Sequence, residues 1–382
     1  MMKKVLLIFG TRPEAIKLFP LLRVIRRQAG VDVRVCSTGQ HKELLAQVLD
    51  TFGVRCDFEF SSMKENQSLA EITSGILTGM DTVLQDFNPD IAVVQGDTTT
   101  AMASALACFY RQIPVAHVEA GLRTYNIYSP WPEEINRQII GRIAVLNFAP
   151  TKQAEKNLLG ENVPAPTIHV TGNTVVDAMN IATELIDNDS QKIFNEMDSI
   201  LPGILNDRIV LITGHRRENF GQDLESVCKA VLCLAGKFPD VHFVYPVHLN
   251  PKVKVPVYKL LGNPGIKNIH LIEPLGYLQF IWLMKRSALV LSDSGGIQEE
   301  APGLGKMIFI TRKLTERTEG IDNGFAQLVG TEQDIIIERM TRFLNGKSGQ
   351  CPPGTENPYG DGKASARIAE ILLSYLEGKT GR

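Results

Sequence analysis

Residues 4–28 read KVLLIFGTRPEAIKLFPLLRVIRRQ, and this segment carries the clearest fold signal of the chain. The apolar run Lys4–Phe9 predicts a β-strand, and Gly10 permits the tight turn that ends it. The spacing of apolar residues over Glu14–Gln28 predicts a helix, with Pro13 in its first turn, where a missing N–H is tolerated. A strand that passes directly into a helix is typical of a parallel sheet covered by helices.

Alternation of this kind continues along most of the chain. Before residue 173, further strands are predicted at 33–37, 91–95, 115–119, 145–150 and 168–172, with helices between most of them. After a more polar region, roughly 183–207, the alternation resumes at Ile209–Thr213. The pattern predicts the α/β fold class, with two doubly wound, Rossmann-like domains at residues 1–172 and 173–362. A last helix within 363–382 could pack on either domain, and we expect it to return to the first.

The bulk composition argues against several functional classes. The chain has 382 residues, which is long for one core and favours two domains. The formal net charge of −2 gives no electrostatic footprint for nucleic acid or an anionic membrane, and no apolar run reaches the length of a membrane span. The six cysteines are scattered without a C-x-x-C pair, so neither a disulfide framework nor a zinc site is predicted, and a reducing cytoplasm fits.

Polar residues that follow the predicted strands are candidate site residues, because ligands of such folds bind beyond the carboxyl ends of the strands. Gly10 and the helix after it would present N–H groups beside Arg12 and Lys17, which predicts an anion site. An ordinary glycine turn with solvated bases is the alternative. Asp97, in the run QGDTTT at 95–100, could act as a base, although an N-cap role explains one residue of that run.

Segment 117–137, HVEAGLRTYNIYSPWPEEINR, holds a dense group of charges. Glu119 ends an apolar strand, so we expect it to be partly buried, with its pKa raised unless Arg123 or Arg137 pairs with it. Glu133 and Glu134 fall in the first turn of a predicted helix, where acids also complement the helix dipole. We expect Glu134 to serve only that purpose.

Two further clusters lie in the second predicted domain. His215, in TGHRREN at 213–219, is either a structural histidine or an acid–base group beside a bound phosphate. Ser294–Gly296 precede a predicted helix and would let a diphosphate approach its N-terminus, with a plain glycine turn as the alternative. Glu299 or Glu300 could accept hydrogen bonds from ribose hydroxyls.

Together these segments resemble one known family, the non-hydrolysing UDP-N-acetylglucosamine 2-epimerases of bacterial surface-polysaccharide synthesis. The resemblance extends from Phe9 to Gly362 through FGTRPEAIK, QGDTTT, HVEAGLRT, SPWPEEINR, TGHRRENF, YPVHLNP, SDSGGIQEEAP and NPYGDG. It implies two Rossmann-like domains with a cleft between them, like those of GT-B glycosyltransferases.

The resemblance also implies a reaction, the reversible C2 epimerisation of UDP-GlcNAc to UDP-ManNAc. In the family, UDP is eliminated to give 2-acetamidoglucal and is added back after reprotonation on the opposite face. Catalytic roles are implied for Asp97, Glu119, Glu133 and His215. Contacts with the nucleotide sugar are implied for Arg12, Lys17, Phe280, Ser294, Gly295, Gly296, Glu300 and Arg317. A homodimer is the family's expectation, and no metal or other cofactor is expected because the reaction involves no net redox change.

Two segments depart from the family's pattern. Thr318 stands where the family commonly has a proline after Arg317, which could move that loop. Glu43, in QHKE at 40–43, would oppose a diphosphate where some members bind a second, activating UDP-GlcNAc. The rival interpretations are a GT-B glycosyltransferase, a hydrolysing epimerase, a UDP-sugar-binding regulator, and an epimerase of a diacetamido-uronic acid sugar.

Overall fold

The computed structural model describes residues 2–39, 42–60, 67–214, 216, 219–262, 265–346 and 356–378, without the side chains of residues 42–44. It consists of two compact units. Unit 1 comprises Met1–Ala178 and Tyr359–Arg382, and unit 2 comprises Met179–Pro358. Within the described residues, no helix is long and apolar enough to cross a membrane.

Unit 1 is built on a seven-stranded parallel sheet. Its elements are β1 (Lys3–Phe9), α1 (Arg12–Ile25), β2 (Val31–Ser37), α2 (Lys42–Phe52), β3 (Phe58–Glu59), α3 (Leu69–Phe87), β4 (Ile91–Gln95), α4 (Thr99–Tyr110), β5 (Val115–Val118), α5 (Glu133–Ile143), β6 (Leu146–Ala149), α6 (Lys152–Gly160), β7 (Ile168–Val170), the start of α7 (Thr174–Asn188), and the last helix, α15 (Ala364–Gly378). The strand order is β3-β2-β1-β4-β5-β6-β7.

The centre of this sheet is β1, which pairs with β2 on one side and β4 on the other. Val5–Phe9 are all buried, as expected for a strand that helices cover on both faces. Because β4 lies between β1 and β5, the residues that follow these three strands come to one edge of the sheet. The last helix, α15, packs against α1.

Unit 2 contains a second parallel sheet, of six strands in the order β10-β9-β8-β11-β12-β13. Its elements after α7 are α8 (Ser190–Ile200), β8 (Arg208–Thr213), α9 (Gln222–Lys237), β9 (Val241–Pro246), α10 (Pro251–Leu261), β10 (Ile269–Ile272), α11 (Tyr277–Arg286), β11 (Leu289–Ser292), α12 (Gly295–Gly303), β12 (Ile308–Ile310), α13 (Glu319–Asp322), β13 (Ala326–Leu328) and α14 (Gln333–Leu344). Here β8 and β11 form the centre, as β1 and β4 do in unit 1.

Several elements were not predicted from the sequence. The polar region near 183–207 is largely helical, since α7 ends in it and α8 fills its centre. Helix α10 begins at Pro251, where proline is tolerated, but Pro256 inside it ordinarily argues against a helix. The helix nevertheless buries three apolar side chains at helical spacing, Val253, Val257 and Leu261. Burial of that apolar stripe outweighs the weak local signal.

Candidate active site

The first part of the site lies in unit 1 around Glu119, which directly follows β5. The Glu119 cluster consists of Glu119, Lys17, Gln95 and Asn173, all of them buried. Lys17 Nζ forms a buried ion pair with Glu119 Oε2. Gln95 Nε2 donates to the same oxygen at 3.1 Å, and Asn173 Nδ2 donates to it at 3.2 Å. Three donors therefore fix the orientation of one carboxylate at the edge of the sheet.

The expected burial of Glu119 is found, and its carboxylate forms an ion pair with Lys17. Arg123 pairs with Glu161, with 2.7 Å between Nε and Oε1. Arg137 binds Asp97. Glu119 adopts a left-handed backbone conformation, with φ of 67°, as the chain leaves β5. Its carboxylate meets Lys17, a residue of α1 that is 102 positions away in sequence.

The second part of the site is the Asp97 cluster, formed by Asp97, Arg137 and Glu134. Arg137 contacts Asp97 Oδ2 through Nη2 at 2.6 Å and Nε at 2.8 Å. The same arginine lies 3.3 Å from Glu134 Oε2 through Nη1. The N-cap of α4 is Thr98, whose Oγ1 accepts from Ala101 N at 3.0 Å. Helix capping therefore does not explain Asp97, and its carboxylate serves the ion pair with Arg137.

Glu134 does more than complement the dipole of α5, so that expectation is wrong. It is completely buried, and its Oε2 and Oε1 accept from the backbone N–H groups of Thr124 and Tyr125 at 3.0 and 3.1 Å. The carboxylate thus holds the loop that leads into α5. Glu133 is the first residue of α5, partly buried, with its Oε2 shielded from solvent.

A buried histidine braces the turn that carries Asp97. His117 lies on β5, and its Nε2 is 2.7 Å from the carbonyl oxygen of Gly96. Since a carbonyl only accepts, Nε2 carries the proton, and Nδ1 is buried without a hydrogen-bond partner among the described residues. Burial lowers the pKa of His117 to about 4, so the ring is neutral near pH 7. Gly96 itself has a φ of 69°, which a side chain would disfavour.

The predicted anion site at the start of α1 is closely packed around Glu14. Glu14 Oε2 accepts from the N–H groups of Gly10 and Thr11 at 3.0 and 2.7 Å, and its Oε1 accepts from Thr98 Oγ1 at 2.6 Å. Burial raises the pKa of Glu14, while these hydrogen bonds lower it. A Cβ added at Gly10 would lie 2.3 Å from Thr100 Oγ1, so a side chain does not fit there. Arg12 is the first residue of α1 and is partly buried.

In unit 2, the glycine-rich segment after β11 forms the start of α12. Ser294 is the N-cap, and Gly295 and Gly296 lie inside the first turn rather than before it. A Cβ added at Gly295 would lie 2.7 Å from Arg317 Nη1, whereas one added at Gly296 would meet no atom within 4 Å. The backbone at Gly296 is therefore open, and the guanidinium of Arg317 lies directly against the helix N-terminus.

Arg317 belongs to a buried ionic group. Its Nε donates to Glu299 Oε1 at 2.6 Å, and its Nη1 pairs with Glu316. Arg312 Nη1 contacts the other oxygen of Glu316 at 3.1 Å. The two acids balance the two guanidiniums inside the unit. Glu299 therefore has an ion-pair partner within unit 2.

The remaining residues predicted for the site in unit 2 are Glu300, Phe280 and His215. Glu300 is buried on α12, and its Oε1 accepts from Tyr277 Oη at 3.2 Å. Phe280 lies on α11 and is partly buried. His215 lies outside the described residues, as does the side chain of Glu43. Next to His215 in sequence, the N–H of Arg216 donates to Asp293 Oδ2 at 3.0 Å.

Comparison with known proteins decides the family. The family model described as UDP-N-acetylglucosamine 2-epimerase matches residues 23–373, which is most of the chain. The chain belongs to the UDP-N-acetylglucosamine 2-epimerase family. An Escherichia coli (strain K12) UDP-N-acetylglucosamine 2-epimerase is 47% identical over 371 residues, covering 97% of this chain and 98% of that protein.

Solved structures of the UDP-N-acetylglucosamine 2-epimerase family match along the whole fold. The Neisseria meningitidis enzyme, in a crystal structure bound to UDP-GlcNAc, superposes with a TM-score of 0.92 at 46% identity, covering 97% of this chain and 100% of that one. The Methanocaldococcus jannaschii enzyme, in complex with UDP-GlcNAc and UDP, gives 0.86 at 32% identity, with coverages of 97% and 99%. The predicted family and the predicted GT-B-like class of two Rossmann-like domains are confirmed, and the protein is an epimerase.

Four buried residues of this epimerase contact or brace the predicted site residues but were not singled out from the sequence. They are Glu14, Gln95, His117 and Asn173. The sequence contains a signal for Gln95, because it is the polar last residue of the otherwise apolar predicted strand at 91–95. Asn173 follows the predicted strand that ends near Gly172, so the rule that polar residues after strands are candidates also applied to it.

Proposed function

We propose that the chain interconverts UDP-GlcNAc and UDP-ManNAc by inversion at C2, without net hydrolysis. The C2–H proton passes to a base, the C1–O bond breaks, and UDP leaves with the electron pair, which gives 2-acetamidoglucal. A proton then adds to C2 from the opposite face, and a UDP oxygen re-forms the bond to C1. The observation that carries this proposal is the buried Glu119 carboxylate, held in a fixed orientation at the same sheet edge as Asp97.

The chemistry requires two proton-transfer groups, because inversion removes a proton from one face of C2 and returns one to the other. We assign this work to Glu119 and Glu133, with Asp97 positioning or sharing it. Glu134 is occupied by the loop amides and Arg137, which leaves Glu133 as the acid of that pair for chemistry. His215 is proposed to act beside the phosphates.

The departing UDP develops negative charge, so the reaction also needs a diphosphate site. The N-terminus of α12 supports such a role, because Ser294, Gly295 and Gly296 present backbone N–H groups and Arg317 lies against them. We extend the UDP-GlcNAc and UDP of the two ligand-bound relatives to this chain on that basis. The proposed sugar and nucleotide contacts are Arg12, Lys17, Phe280, Ser294, Gly295, Gly296, Glu300 and Arg317.

The wider assignment follows from the same proposal. Residues 1–172 would supply Asp97, Glu119 and Glu133 together with the contacts of Arg12 and Lys17, and residues 173–362 would supply most of the UDP contacts. The protein would be a cytoplasmic homodimer that serves surface-polysaccharide synthesis. UDP-GlcNAc and UDP-ManNAc would be its partners, with no nucleic acid and no membrane.

Incubation with UDP-GlcNAc in deuterated water tests the reaction. We expect UDP-ManNAc with deuterium at C2, measured by NMR and mass spectrometry, because the proton that returns to C2 comes from an exchangeable carboxyl group. Release of free ManNAc and UDP as final products would indicate the hydrolysing epimerase, and transfer of the sugar to an acceptor would indicate a glycosyltransferase. Unchanged UDP-GlcNAc would overturn the proposal. The remaining interpretations would then be a UDP-sugar-binding regulator and an epimerase of a diacetamido-uronic acid sugar.

Two variants test the proton-transfer pair. Glu119→Gln and Glu133→Gln should each lower kcat by about a hundredfold or more, as expected for removal of a general acid or base, while UDP still binds. Glu370→Gln, on the exposed side of α15, is the matched control and should keep the wild-type rate. A near-wild-type rate in either site variant would refute the role of that residue.

A further inference from the structure

Asn173 connects the Glu119 cluster to the place where the chain passes out of unit 1. It is 2% exposed and lies between β7 and α7. Its side chain makes two separate hydrogen bonds, with Nδ2 donating to Glu119 Oε2 at 3.2 Å and Oδ1 accepting from Val175 N at 3.0 Å. Its backbone N–H donates to the carbonyl oxygen of Tyr359 at 2.7 Å.

The hydrogen bond from Asn173 to Tyr359 connects the two chain segments of unit 1, close to where the first ends and the second begins. Unit 1 ends its first segment at Ala178 and resumes at Tyr359, so both residues lie beside the crossing points. Gly172 and Gly360 meet there at backbone level, because a Cβ added to Gly360 would lie 3.3 Å from the Cα of Gly172. The φ values of Gly172 and Gly360 are 87° and 128°, which favour glycine, and the close approach of the two backbones leaves little room for side chains at either position.

The neighbouring hydrogen bonds strengthen the same connection. Asp177, on the first turns of α7, accepts from the backbone N–H groups of Ala364 and Ser365 at 3.2 and 2.8 Å. Arg367 donates to the carbonyl oxygen of Thr171 at 3.0 Å. The start of α15 and the start of α7 are therefore fixed to one another around Asn173.

We propose that Asn173 is a positioning residue of the epimerase, which sets the orientation and charge balance of Glu119 from the crossing segment. Lys17 approaches Glu119 from α1, a helix that covers the sheet, and Gln95 approaches it from β4, a strand of the sheet. Asn173 approaches from the crossing, so it couples the proton-transfer carboxylate to the backbone of that segment. This inference rests on the proposed function, because it assumes that Glu119 transfers the C2 proton.

The two ends of the Asn173 side chain allow a test that separates this role from a structural one. Asn173→Asp keeps an oxygen for Val175 N, since aspartate and asparagine are comparable at helix N-termini. It replaces the donor to Glu119 with a second carboxylate at about the same distance. Two carboxylates at one site retain a proton to higher pH. The limb of the kcat profile that belongs to Glu119 should therefore move up by about one pH unit or more, in both reaction directions.

A second variant removes the donor without adding charge. Asn173→Ser also keeps an N-cap oxygen, but its shorter side chain cannot reach Glu119. We expect kcat to fall at least tenfold with the KM for UDP-GlcNAc changed by less than threefold, and with the melting temperature kept. Asn162→Asp, at an exposed turn of unit 1, is the matched control for added charge and should reproduce the wild-type profile.

The outcomes distinguish this inference from the proposed function. An upward shift in Asn173→Asp together with a lower kcat in Asn173→Ser supports the positioning role. If wild-type protein epimerises and Glu119→Gln does not, but Asn173→Asp keeps the wild-type pH profile, the positioning role is overturned and the function stands. If Asn173→Asp fails to fold, a wild-type kcat in Asn173→Ser overturns the role by itself. Absence of epimerisation by the wild type overturns both.

Discussion

The neutral, buried His117 should make unit 1 sensitive to acid. Burial lowers its pKa from 6.5 to about 4, so the folded state does not take up a proton that the unfolded state binds below 6.5. A group with a depressed pKa of this kind contributes its full stability above about pH 6.5, and the contribution falls as the pH drops towards 4. At about 1.4 kcal/mol per pH unit, lowering the pH from about 8 to about 5 costs about 2 kcal/mol through this one residue.

His117→Gln isolates that contribution. The amide nitrogen of glutamine can take the place of Nε2 and donate to the carbonyl oxygen of Gly96, but it does not titrate in this range. Urea unfolding is followed by pulsed hydrogen exchange and mass spectrometry, with peptides from β4 and β5 reporting unit 1. The free energy of unfolding should fall by about 2 kcal/mol more in the wild type than in His117→Gln between the two pH values.

Two results would refute the reasoning. One is an equal pH dependence of wild type and His117→Gln, and the other is an NMR titration in which the His117 ring protonates near its ordinary pKa of 6.5 in the folded protein. His248→Gln is the control, because His248 is exposed and its replacement should leave the pH dependence of unit 1 unchanged.

Two further substitutions test the packing of the site. Gly295→Ala should lower the free energy of unfolding of unit 2 by about 1–3 kcal/mol and weaken UDP binding in calorimetry, because its Cβ would lie 2.7 Å from Arg317 Nη1. Gly296→Ala, with no atom within 4 Å, should leave the free energy of unfolding unchanged or slightly higher, and equal losses in both variants would contradict this account. Glu134→Gln should lower the stability of unit 1 by about 1–3 kcal/mol and speed proteolysis of the loop at 124–131, because an amide nitrogen replaces one of the two oxygens that accept from the loop N–H groups. An unchanged melting temperature and cleavage rate would refute this second prediction.

The sheets were predictable because their strands are buried on both faces and therefore appear as short continuous apolar runs, as in Val5–Phe9. The edge of the sheet that carries the polar residues was predictable once the strands were assigned, because ligands of such folds bind beyond the carboxyl ends of the strands. The partner of Glu119 was not, because the sequence contains no information that sets Lys17 of α1 beside the end of β5 until the order β1-β4-β5 is known. Sequence proximity made Arg123 and Arg137 the cations to consider, and in the fold they pair with Glu161 and Asp97.

The choice of partner matters for chemistry. An arginine would bind a carboxylate through two parallel N–H groups and cannot release its charge, so it would oppose protonation of the acid at every step. Glu119 pairs with a lysine, which is a single point charge, and accepts from two neutral amides, those of Gln95 and Asn173. Neutral donors orient a carboxylate with a smaller electrostatic cost to protonation than a second cation would impose. A group that must accept a proton in one direction of a reversible epimerisation and give it up in the other needs both properties, a fixed orientation and accessible protonation states. The lysine and the two neutral amides therefore support the proton transfer that we propose for Glu119.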